Sequence, residues 1–463
     1  MTLTAREDVA DLRRAMSGPV IEPPDAGYDD ARLVWNASIN RRPAVIAKCQ
    51  SADDVKVAIQ FATRRGLEIA VRGGAHSMSG ASSVDDGLVV DLSMLNSVSV
   101  DPEIRRARVG GGALWQDVDA ATQEHGLAVP GGLISHTGVA GLTLGGGMGW
   151  LSRQAGLSID NLVSAEVVTA DGEIHRVSAD QSPDLFWAIR GGGGNFGVVT
   201  EFEFRLHEVG PIINFGMLFW TADQGRQVLE LARDIFRTLP SEINIVISGL
   251  SAPPAPFVPE QYHFVPGFAF SVSGFGSAEE HQALLERIRT ALPPAFEMVS
   301  PLPYVALQQM LDEGNAWGFH CYDKGLYIED FSDEVISVVT EHVPQKVSPL
   351  SVVIFYRLDG AYSAVAEDAT AFSGGRSPRY AVFIIGVCPA PEMFLPEREW
   401  VRTFWDNLNQ HGLSGAYVNA ITDAPDDRVR TAYGPEKYAR LAQLKRTYDP
   451  DNIFHRNANI LPA

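Results

Sequence analysis

The first half of the chain alternates short apolar runs with amphipathic segments. Residues 44–49 and 67–72 are apolar runs that predict buried strands, and residues 51–66 between them predict a helix because their apolar positions fall on one face. Ser51 is typical of a helix start and Gly66 of a helix end. The resulting βαβ-like unit puts the loop after residue 72 at the carboxyl end of a strand, where open α/β sheets bind ligands.

The alternation of short strands and helices continues to residue 206. It predicts a strand over 87–93, a hairpin that turns at Asp101-Pro102, a helix over 113–126, a hairpin over 165–177 and a strand that ends at 206.

The character of the chain changes after residue 211. Residues 212–425 carry fewer glycine clusters, and they contain aromatic strands at 351–358 and 379–387 and an amphipathic helix at 281–292. This mixture predicts a second, α+β domain with an antiparallel sheet. The length of 463 residues also favours two domains, because a single core stops growing at about 300 residues.

The charge balance argues against two classes of partner. The chain has 57 acidic and 37 basic residues, a net charge of −20, whereas nucleic acids and anionic membranes bind basic surfaces. Cys49, Cys321 and Cys388 lack metal-binding spacing, so we expect neither a zinc site nor a disulfide framework. Residues 1–18 lack the apolar core of a signal peptide, and no apolar run is long enough to cross a bilayer, so we expect a cytoplasmic protein.

One glycine pattern needs its context before it can be interpreted. Gly192, Gly194 and Gly197 match the G-x-G-x-x-G pattern of nicotinamide-dinucleotide sites. That pattern must open a helix, and here a strand-like run follows it. We therefore expect no Rossmann-type site.

Three glycine-rich loops lie in this half of the chain, at 73–80, 131–149 and 191–197. Each loop alone is compatible with a tight turn. Together, their exposed backbone N–H groups are suited to holding a pyrophosphate without a basic side chain. The sequence therefore predicts a large phosphorylated cofactor that lies across the loops.

Two histidines occur in these loops. His76 has glycines on both sides and Ser77 beside it, and His136 lies in the second loop. Neither histidine belongs to a metal-binding pattern, so we predict no metal. For His136, a direct chemical role and an ordinary loop position both remain open.

Five stretches of the chain form an ordered set between about residue 40 and the carboxyl terminus. They are RGGAHSMSG (72–80), TGVAGLTLGGGMGWLSR (137–153), GLSIDNLVSAEVVTADG (156–172), LFWAIRGGGGNFGVVTEF (185–202) and YARLAQLKRTYDPDNIFHRNANI (438–460). Together they resemble the bacterial-type berberine-bridge-enzyme-like FAD-linked oxidases of the vanillyl-alcohol-oxidase superfamily.

The resemblance implies a two-domain α+β fold of the vanillyl-alcohol-oxidase type. Residues 1–210 form the main part of an FAD-binding domain, and residues 429–463 return to it. Residues 211–428 form a substrate domain whose antiparallel sheet is covered by helices and roofs the flavin. Small-molecule substrate and dioxygen are the implied partners; the oligomeric state is left open.

The resemblance also implies how FAD is held. In that family the histidine of the first stretch, here His76, is bonded covalently to the flavin. Ile134 occupies the position at which many relatives have a second, cysteinyl bond, so we expect a single covalent link. The other residues that the resemblance places at the cofactor are Arg72, Gly73, Gly74, Ala75, Ser77, Gly80, Gly132, Thr137, Gly138, Gly141, Leu142, Gly147, Gly149, Val199, Asn457 and Asn459.

The catalytic residues follow less directly from the resemblance. Relatives often place a carboxylate base three residues before a Gly-Gly pair, and the corresponding position here is Arg357, which cannot act as a base. Arg357 either binds a substrate carboxylate or phenolate, or forms an ordinary ion pair. Tyr417 and Asn419 match a second family motif, which makes Tyr417 the candidate base. Its phenol would need a neighbouring cation, for which Lys324 and Arg357 are candidates.

The implied activity is oxidation of a C–O or C–N bond of an alcohol, phenol or amine by hydride transfer to FAD, with dioxygen reduced to hydrogen peroxide. A dehydrogenase that uses a quinone or protein acceptor and a non-catalytic flavin-binding or small-molecule-binding protein remain alternatives. Aromatic residues of the second domain would suit an aromatic substrate or form plain core. They are Trp317, Tyr322, Phe355, Tyr356 and Phe383.

Overall fold

A small parallel sheet begins the fold in the computed structural model, which describes residues 3–422 and 426–463. Its order is β1-β2-β4-β3, with β2, β4 and β3 parallel. The elements are α1 (Leu3–Ala15), β1 (Val20–Ile21), α2 (Tyr28–Ala31), β2 (Val45–Lys48), α3 (Ala52–Arg65), β3 (Ile69–Arg72) and β4 (Leu88–Asp91). The predicted βαβ unit is confirmed: the Ser51 hydroxyl accepts the N–H of Asp54 at the start of α3, and Gly66 ends the helix at φ +61°.

A five-stranded antiparallel sheet of order β5-β6-β10-β8-β9 completes the first half, and β7 pairs with β11 beside it. Both predicted hairpins are present in it. The elements are β5 (Val98–Asp101), β6 (Arg106–Gly110), α4 (Trp115–Gln123), β7 (Leu127–Ala128), α5 (Val139–Gly145), α6 (Ser152–Ala155), β8 (Leu162–Val168), β9 (Ile174–Ser178), α7 (Pro183–Ile189), β10 (Val198–Arg205) and β11 (His207–Glu208). Strand β10 directly follows Gly197, as predicted. The G-x-G-x-x-G pattern is therefore followed by a strand and not by the helix that a nicotinamide-dinucleotide site requires.

The second half is built on a seven-stranded antiparallel sheet of order β15-β12-β14-β13-β17-β18-β16. Its elements are β12 (Ile212–Thr221), α8 (Gly225–Phe236), β13 (Ile243–Ser251), β14 (Pro266–Gly274), α9 (Ala278–Ala291), β15 (Phe296–Pro303), α10 (Tyr304–Gln309), β16 (His320–Ile328), α11 (Asp333–His342), β17 (Val352–Leu358), β18 (Arg379–Cys388) and α12 (Phe394–Asn409). The two-domain α+β fold class is confirmed.

The two faces of this large sheet have different neighbours. One face, which we call the helix face, packs against α8, α11 and α12, and Tyr322 and Phe355 belong to that core. The other, which we call the inner face, packs against the first half, where Tyr327 and Ala381 meet Met148. Because successive side chains of a strand point to opposite faces, residues on one strand divide between these two environments.

The carboxyl-terminal helices are α13 (Asp426–Tyr433) and α14 (Pro435–Tyr448). Helix α14 packs in the same apolar cluster as β10 of the first half. The buried ammonium of Lys445 donates to the carbonyl of Asn195 at 2.7 Å and pairs with Asp449 at 2.5 Å. Residues near the end of the chain thus complete the glycine-loop region. No helix within 3–422 or 426–463 has the length and apolar character needed to cross a membrane.

Candidate active site

A cavity of about 640 Å³ lies where the glycine loops, the start of β10 and the chain terminus meet. This volume is in the usual range for ligand-binding pockets. The expected site residues that line it are Gly73, Gly74, Ala75, His76, Ser77, Thr137, Gly138, Gly141, Leu142, Val199, Tyr417, Asn419, Asn457 and Asn459. The structure therefore brings together residues that are up to several hundred positions apart in the chain.

The glycines of these loops serve two different purposes. A Cβ added at Gly74 would lie 2.3 Å from the amide nitrogen of Gly138, so these two glycines allow the first and second loops to pack backbone against backbone. A Cβ added at Gly141 would meet no atom within 4 Å, although Gly141 lines the cavity. Gly141 thus leaves open space on the cavity wall.

Five expected cofactor residues lie outside the cavity lining. The guanidinium of Arg72 donates to the carbonyls of Ala31 and Leu33 and lies 3.9 Å from Asp91, so it fixes the amino-terminal segment instead. The other four are glycines whose added Cβ would collide with a packed neighbour, which gives them a role in packing. They are Gly80, Gly132, Gly147 and Gly149.

His76 is held in one orientation. It follows Ala75, which adopts a left-handed φ of +55°, an unusual conformation for a residue with a side chain. The imidazole stacks on Trp35 with a centroid distance of 4.5 Å and an interplanar angle of 19°. Its Nε2 lies 2.7 Å from Nδ1 of His136. Burial, with a smaller contribution from His136, lowers the pKa of His76 to about 3, so the ring is neutral at physiological pH.

Sequence reasoning missed the segment that carries Trp35. Trp35 donates its indole N–H to the carbonyl of Asn315 at 2.6 Å and its backbone N–H to Ala75. The Asn36 amide donates to the carbonyls of both Met78 and Cys321 at 2.9 Å. The segment therefore joins the His76 loop to β16. Its sequence has no periodicity or motif that marks this contact.

A charged cluster at another part of the cavity wall was also missed. Arg41, Glu68, His455 and Arg456 all line the cavity. Arg456 donates to the Glu68 carboxylate at 2.5 Å, and His455 lies 3.2 Å from it. The preference of phosphorylated ligands for cations is the only sequence signal that could have pointed to Arg41 and Arg456.

The lining fits FAD on observations that do not depend on resemblance. Ser82 Oγ and Asn459 Oδ1 line the cavity and are buried without a hydrogen-bond partner in the described parts of the chain. Buried polar atoms are normally paired, so these two atoms indicate a polar ligand. Gly141 leaves room elsewhere in the same lining, and the loop N–H groups and Arg41 suit a pyrophosphate.

Tyr417 and Asn419 form a hydrogen-bonded pair in the lining of the same cavity. The Tyr417 hydroxyl oxygen accepts the N–H of Gly147 at 3.1 Å and the amide N–H of Asn419 at 3.1 Å. Asn419 also donates to the carbonyls of Gly141 and Leu142. Burial raises the pKa of Tyr417 despite the two N–H donors, so its phenol is neutral at physiological pH.

The structure does not bring Arg357 or Lys324 to Tyr417, which corrects the expectation of a cation beside that phenol. Arg357 pairs with Asp359 at 3.0 Å and lies 4.9 Å above the ring of Tyr380 on the helix face. Lys324 lies 4.6 Å above the ring of Trp405 in α12. Strand alternation is the reason, because both side chains point away from the inner face.

The inner face of β17 and β18 carries aromatic side chains instead. Tyr356 and Phe383 are half-buried there, 5.5 Å apart, and Phe383 lies 5.7 Å from the Tyr417 ring. Of the other aromatic candidates, Tyr322 and Phe355 are buried in the core of the helix face, and Trp317 is exposed.

Ile134, which the resemblance aligns with the cysteine of a second covalent flavin bond, is half-buried. The next residue, Ser135, donates its N–H and its hydroxyl to the Asp312 carboxylate at 2.9 and 2.6 Å. This loop is therefore fixed to the second half of the chain by hydrogen bonds. Among the described residues, no cluster of histidine, cysteine or carboxylate side chains could hold a metal ion.

Comparison with protein families gives two matches. Residues 43–178 match a family described as an FAD binding domain, and residues 416–461 match one described as berberine and berberine like. The two matched regions contain His76 and Tyr417, which line the same cavity.

Individual relatives match over nearly the whole chain. The sequence is 30% identical over 470 residues to (R)-6-hydroxynicotine oxidase of Paenarthrobacter nicotinovorans, covering 97% of each chain. The crystal structure of 6-hydroxy-D-nicotine oxidase from Arthrobacter nicotinovorans superposes with a TM-score of 0.85 at 28% identity, covering 97% of this chain and 98% of that one. Physcomitrella patens BBE-like 1 shares the fold, with a TM-score of 0.87 at 22% identity and coverage of 98% and 99%.

Proposed function

The chain belongs to the berberine-like FAD-linked oxidases, and we propose that it oxidises a C–O or C–N bond of a small or mid-sized apolar molecule, using FAD bonded through His76 alone. The observation that carries this proposal is the shared cavity, whose lining contains both the fixed His76 ring and the Tyr417–Asn419 pair. FAD, when bound, accepts the hydride and passes the electrons to dioxygen, which is reduced to hydrogen peroxide.

Different groups of the cavity lining would hold different parts of FAD. The backbone of the first two loops, with Arg41, suits the pyrophosphate, and Ser82 and Asn459 offer the unpaired polar atoms. His76 supplies the covalent bond. We propose no cysteinyl bond, because Ile134 has no thiol.

We propose that Tyr417 handles the proton of the substrate. Its oxygen already accepts N–H groups from Gly147 and Asn419, and these donors would stabilise the phenolate that proton uptake requires. In the phenolate form the oxygen has a third position for the substrate O–H or N–H. Asn419 orients the phenol, and neither Arg357 nor Lys324 takes part.

The inner face favours an apolar or aromatic substrate over a sugar. Ile354, Tyr356 and Phe383 present half-buried apolar surface there. Asp323, also on this face, is buried and accepts the hydroxyl of Thr422. Sugars need many polar partners, whereas such a wall suits a hydrophobic amine, phenol or alcohol. The relative named for 6-hydroxynicotine supports a nitrogen-containing aromatic compound as the first class to test.

Acid precipitation and the intact mass of the chain test the cofactor. We expect flavin colour in the pellet, a chain heavier by one FAD, and a flavin-bearing peptide that contains His76. His76→Ala should release all flavin to the supernatant, while His125→Ala, in an exposed turn, should not. Flavin that stays with the chain in His76→Ala would contradict the assignment.

An anaerobic panel of amines, phenols, alcohols and oligosaccharides tests the substrate class. We expect bleaching of the flavin by a hydrophobic member of the panel, and rapid return of the yellow colour on admission of air. Bleaching by oligosaccharides alone would contradict the apolar substrate class. Slow return of the colour in air would show that the natural acceptor is a quinone or a protein.

A further inference from the structure

The imidazole of His76 has one ring nitrogen engaged and its plane fixed. Stacking on Trp35 restricts rotation of the ring, and the backbone N–H of Trp35 ties the two segments together at the carbonyl of Ala75. The 2.7 Å contact with Nδ1 of His136 engages Nε2. This arrangement leaves Nδ1 of His76 as the nitrogen that is open to reaction.

The loop that carries His136 is itself rigid. Ser135 is bonded twice to Asp312, and the carbonyl of Thr137 accepts the N–H of Trp115 at 3.0 Å. His136 lies between these two anchored residues. Its Nδ1 is therefore held at a set place relative to His76, unlike that of a histidine on a free loop.

We propose that His136 is a positioning residue for formation of the covalent bond between His76 and FAD, a role that rests on the proposed function above. His136 Nδ1 accepts the Nε2–H of His76. That hydrogen bond selects the tautomer of His76 that carries its lone pair on Nδ1. The same contact takes up the Nε2 proton when Nδ1 forms its bond, so that the product ring is neutral.

A bond forms between Nδ1 of His76 and the methyl carbon of the flavin ring, and a C–H bond of that methyl group breaks. One proton leaves the carbon, a second leaves Nε2 through His136, and the electron pair of the C–H bond reduces the flavin by two electrons. Dioxygen then takes the two electrons and two protons as hydrogen peroxide, which restores the oxidised flavin.

A neutral nucleophile is required for this step, and the site supplies one. Burial lowers the pKa of the His76 ring to about 3, so no proton has to be removed from a cation before attack. Tyr417 makes its hydrogen bonds with Gly147 and Asn419 and none with His76 or His136. Its proposed role with the substrate proton is therefore distinct from the role of His136 in forming the covalent bond.

His136→Phe and His136→Asn test the proposal. Phenylalanine keeps a ring of similar size but has no acceptor, while asparagine keeps an oxygen that can accept the Nε2–H. His125→Phe, in an exposed turn, is the matched control. Protein is harvested at set times after induction, and the covalent fraction of FAD is measured by intact mass, with total FAD and thermal unfolding recorded beside it.

We expect His136→Phe to bind FAD but to lower the early covalent fraction by about tenfold or more, since a positioned proton acceptor contributes at least that much. His136→Asn keeps a hydrogen-bond acceptor but has no basic nitrogen to take up the proton, so its covalent fraction should fall between those of His136→Phe and the wild type. His125→Phe should match the wild type. A wild-type covalent fraction in His136→Phe would overturn the inference but not the proposed covalent bond between His76 and FAD. If His136→Phe does not fold, His136→Asn decides, because a wild-type covalent fraction in that variant, whose amide cannot take up a proton, also overturns the inference. If the wild-type protein carries no covalent FAD, both the proposed covalent bond at His76 and the inference about His136 are overturned.

Discussion

The hydroxyl oxygen of Tyr417 accepts the backbone N–H of Gly147 at 3.1 Å. Gly147 belongs to the second glycine loop, and a Cβ added there would lie 2.1 Å from Ser158 Oγ, so only glycine allows the loop to bring its N–H to the phenol. Asn419 supplies a second N–H to the same oxygen. Backbone and amide donors thus occupy the positions at which the sequence had led us to expect a cation.

Replacement of Tyr417 by phenylalanine tests its role in proton transfer. We expect the rate of flavin reduction by a substrate to fall by about 10²-fold to 10⁴-fold, the usual contribution of a general base, with little change in substrate affinity. Because burial raises the pKa of Tyr417, the wild-type rate should increase with pH through the alkaline range, and the variant should lose that increase. Anaerobic stopped-flow measurement gives the rate of flavin reduction and its dependence on pH.

Tyr380→Phe, on the helix face, is the control for the loss of a buried tyrosine hydroxyl. A wild-type rate of flavin reduction in Tyr417→Phe would show that Tyr417 takes no part in proton transfer.

Arg357→Met and Lys324→Met should leave flavin reduction within about twofold of the wild type, because side chains on the helix face do not reach the inner face. Arg357→Met loses the pair with Asp359 and should lower thermal stability instead. Reduction rates and unfolding temperatures are measured on the same samples. A large drop in the rate with unchanged stability would show that Arg357 acts on the substrate after all.

Gly141 and Gly314 offer a matched pair for testing where FAD lies. A Cβ added at either glycine meets no atom within 4 Å, and of the two only Gly141 lines the cavity. We expect Gly141→Leu to bind less FAD, because the new side chain occupies cavity space, with little loss of fold. Gly314→Leu should behave as the wild type. FAD content per chain measures the binding, and circular dichroism measures the fold. Full FAD content in Gly141→Leu would show that the cofactor does not lie next to α5.

Asp119, at the contact between α4 and α10, is expected to make the free energy of unfolding depend on pH. Its carboxylate accepts the Gln308 amide at 2.9 Å, and its other oxygen is buried without a partner in the described residues. Burial raises the pKa of Asp119 to about 7, from an ordinary value of about 3.9. The folded state therefore binds this proton more tightly than the unfolded state does. The resulting stabilisation is complete below about pH 4 and is lost as the pH rises to about 7.

Asp119→Asn removes this dependence because its amide cannot ionise. We expect the variant to unfold at a higher temperature than the wild type at pH 8 and at a similar one at pH 4.5. Each unit of pKa is worth about 1.4 kcal/mol, so the difference at pH 8 is of the order of a few kcal/mol. Thermal unfolding across this range measures it. A wild-type minus variant difference that is constant with pH would show that Asp119 is ionised throughout.

Local signals in the sequence determined much of the first half. The start and end of α3, both hairpins and the absence of a helix after Gly197 follow from interactions between residues a few positions apart. Such interactions are the same in any context, so pattern alone predicts them. The five motifs similarly indicated the family, which the comparisons confirm. The resemblance also led to the predictions of His76 and of the Tyr417–Asn419 pair as site residues.

The sequence could not assign the faces of the large sheet. Alternation places Arg357 with Phe355 on one face of β17 and Tyr356 with Ile354 on the other, but both faces carry apolar residues. Because both faces are buried, the pattern has no polar side that identifies the one next to the cavity. Only the packing of α8, α11 and α12 decided that Arg357 and Lys324 point away from Tyr417.

Contacts across long stretches of chain also required the tertiary structure. The loop sequence put His76 and His136 in the same region, yet their 2.7 Å contact and the stacking of Trp35 depend on how three segments fold onto one another. Neither periodicity nor spacing encodes such contacts, since each segment is irregular and far from the others in sequence. The sequence alone thus determined the local elements and the kind of cofactor to expect, and tertiary packing decided which side chains line the cavity.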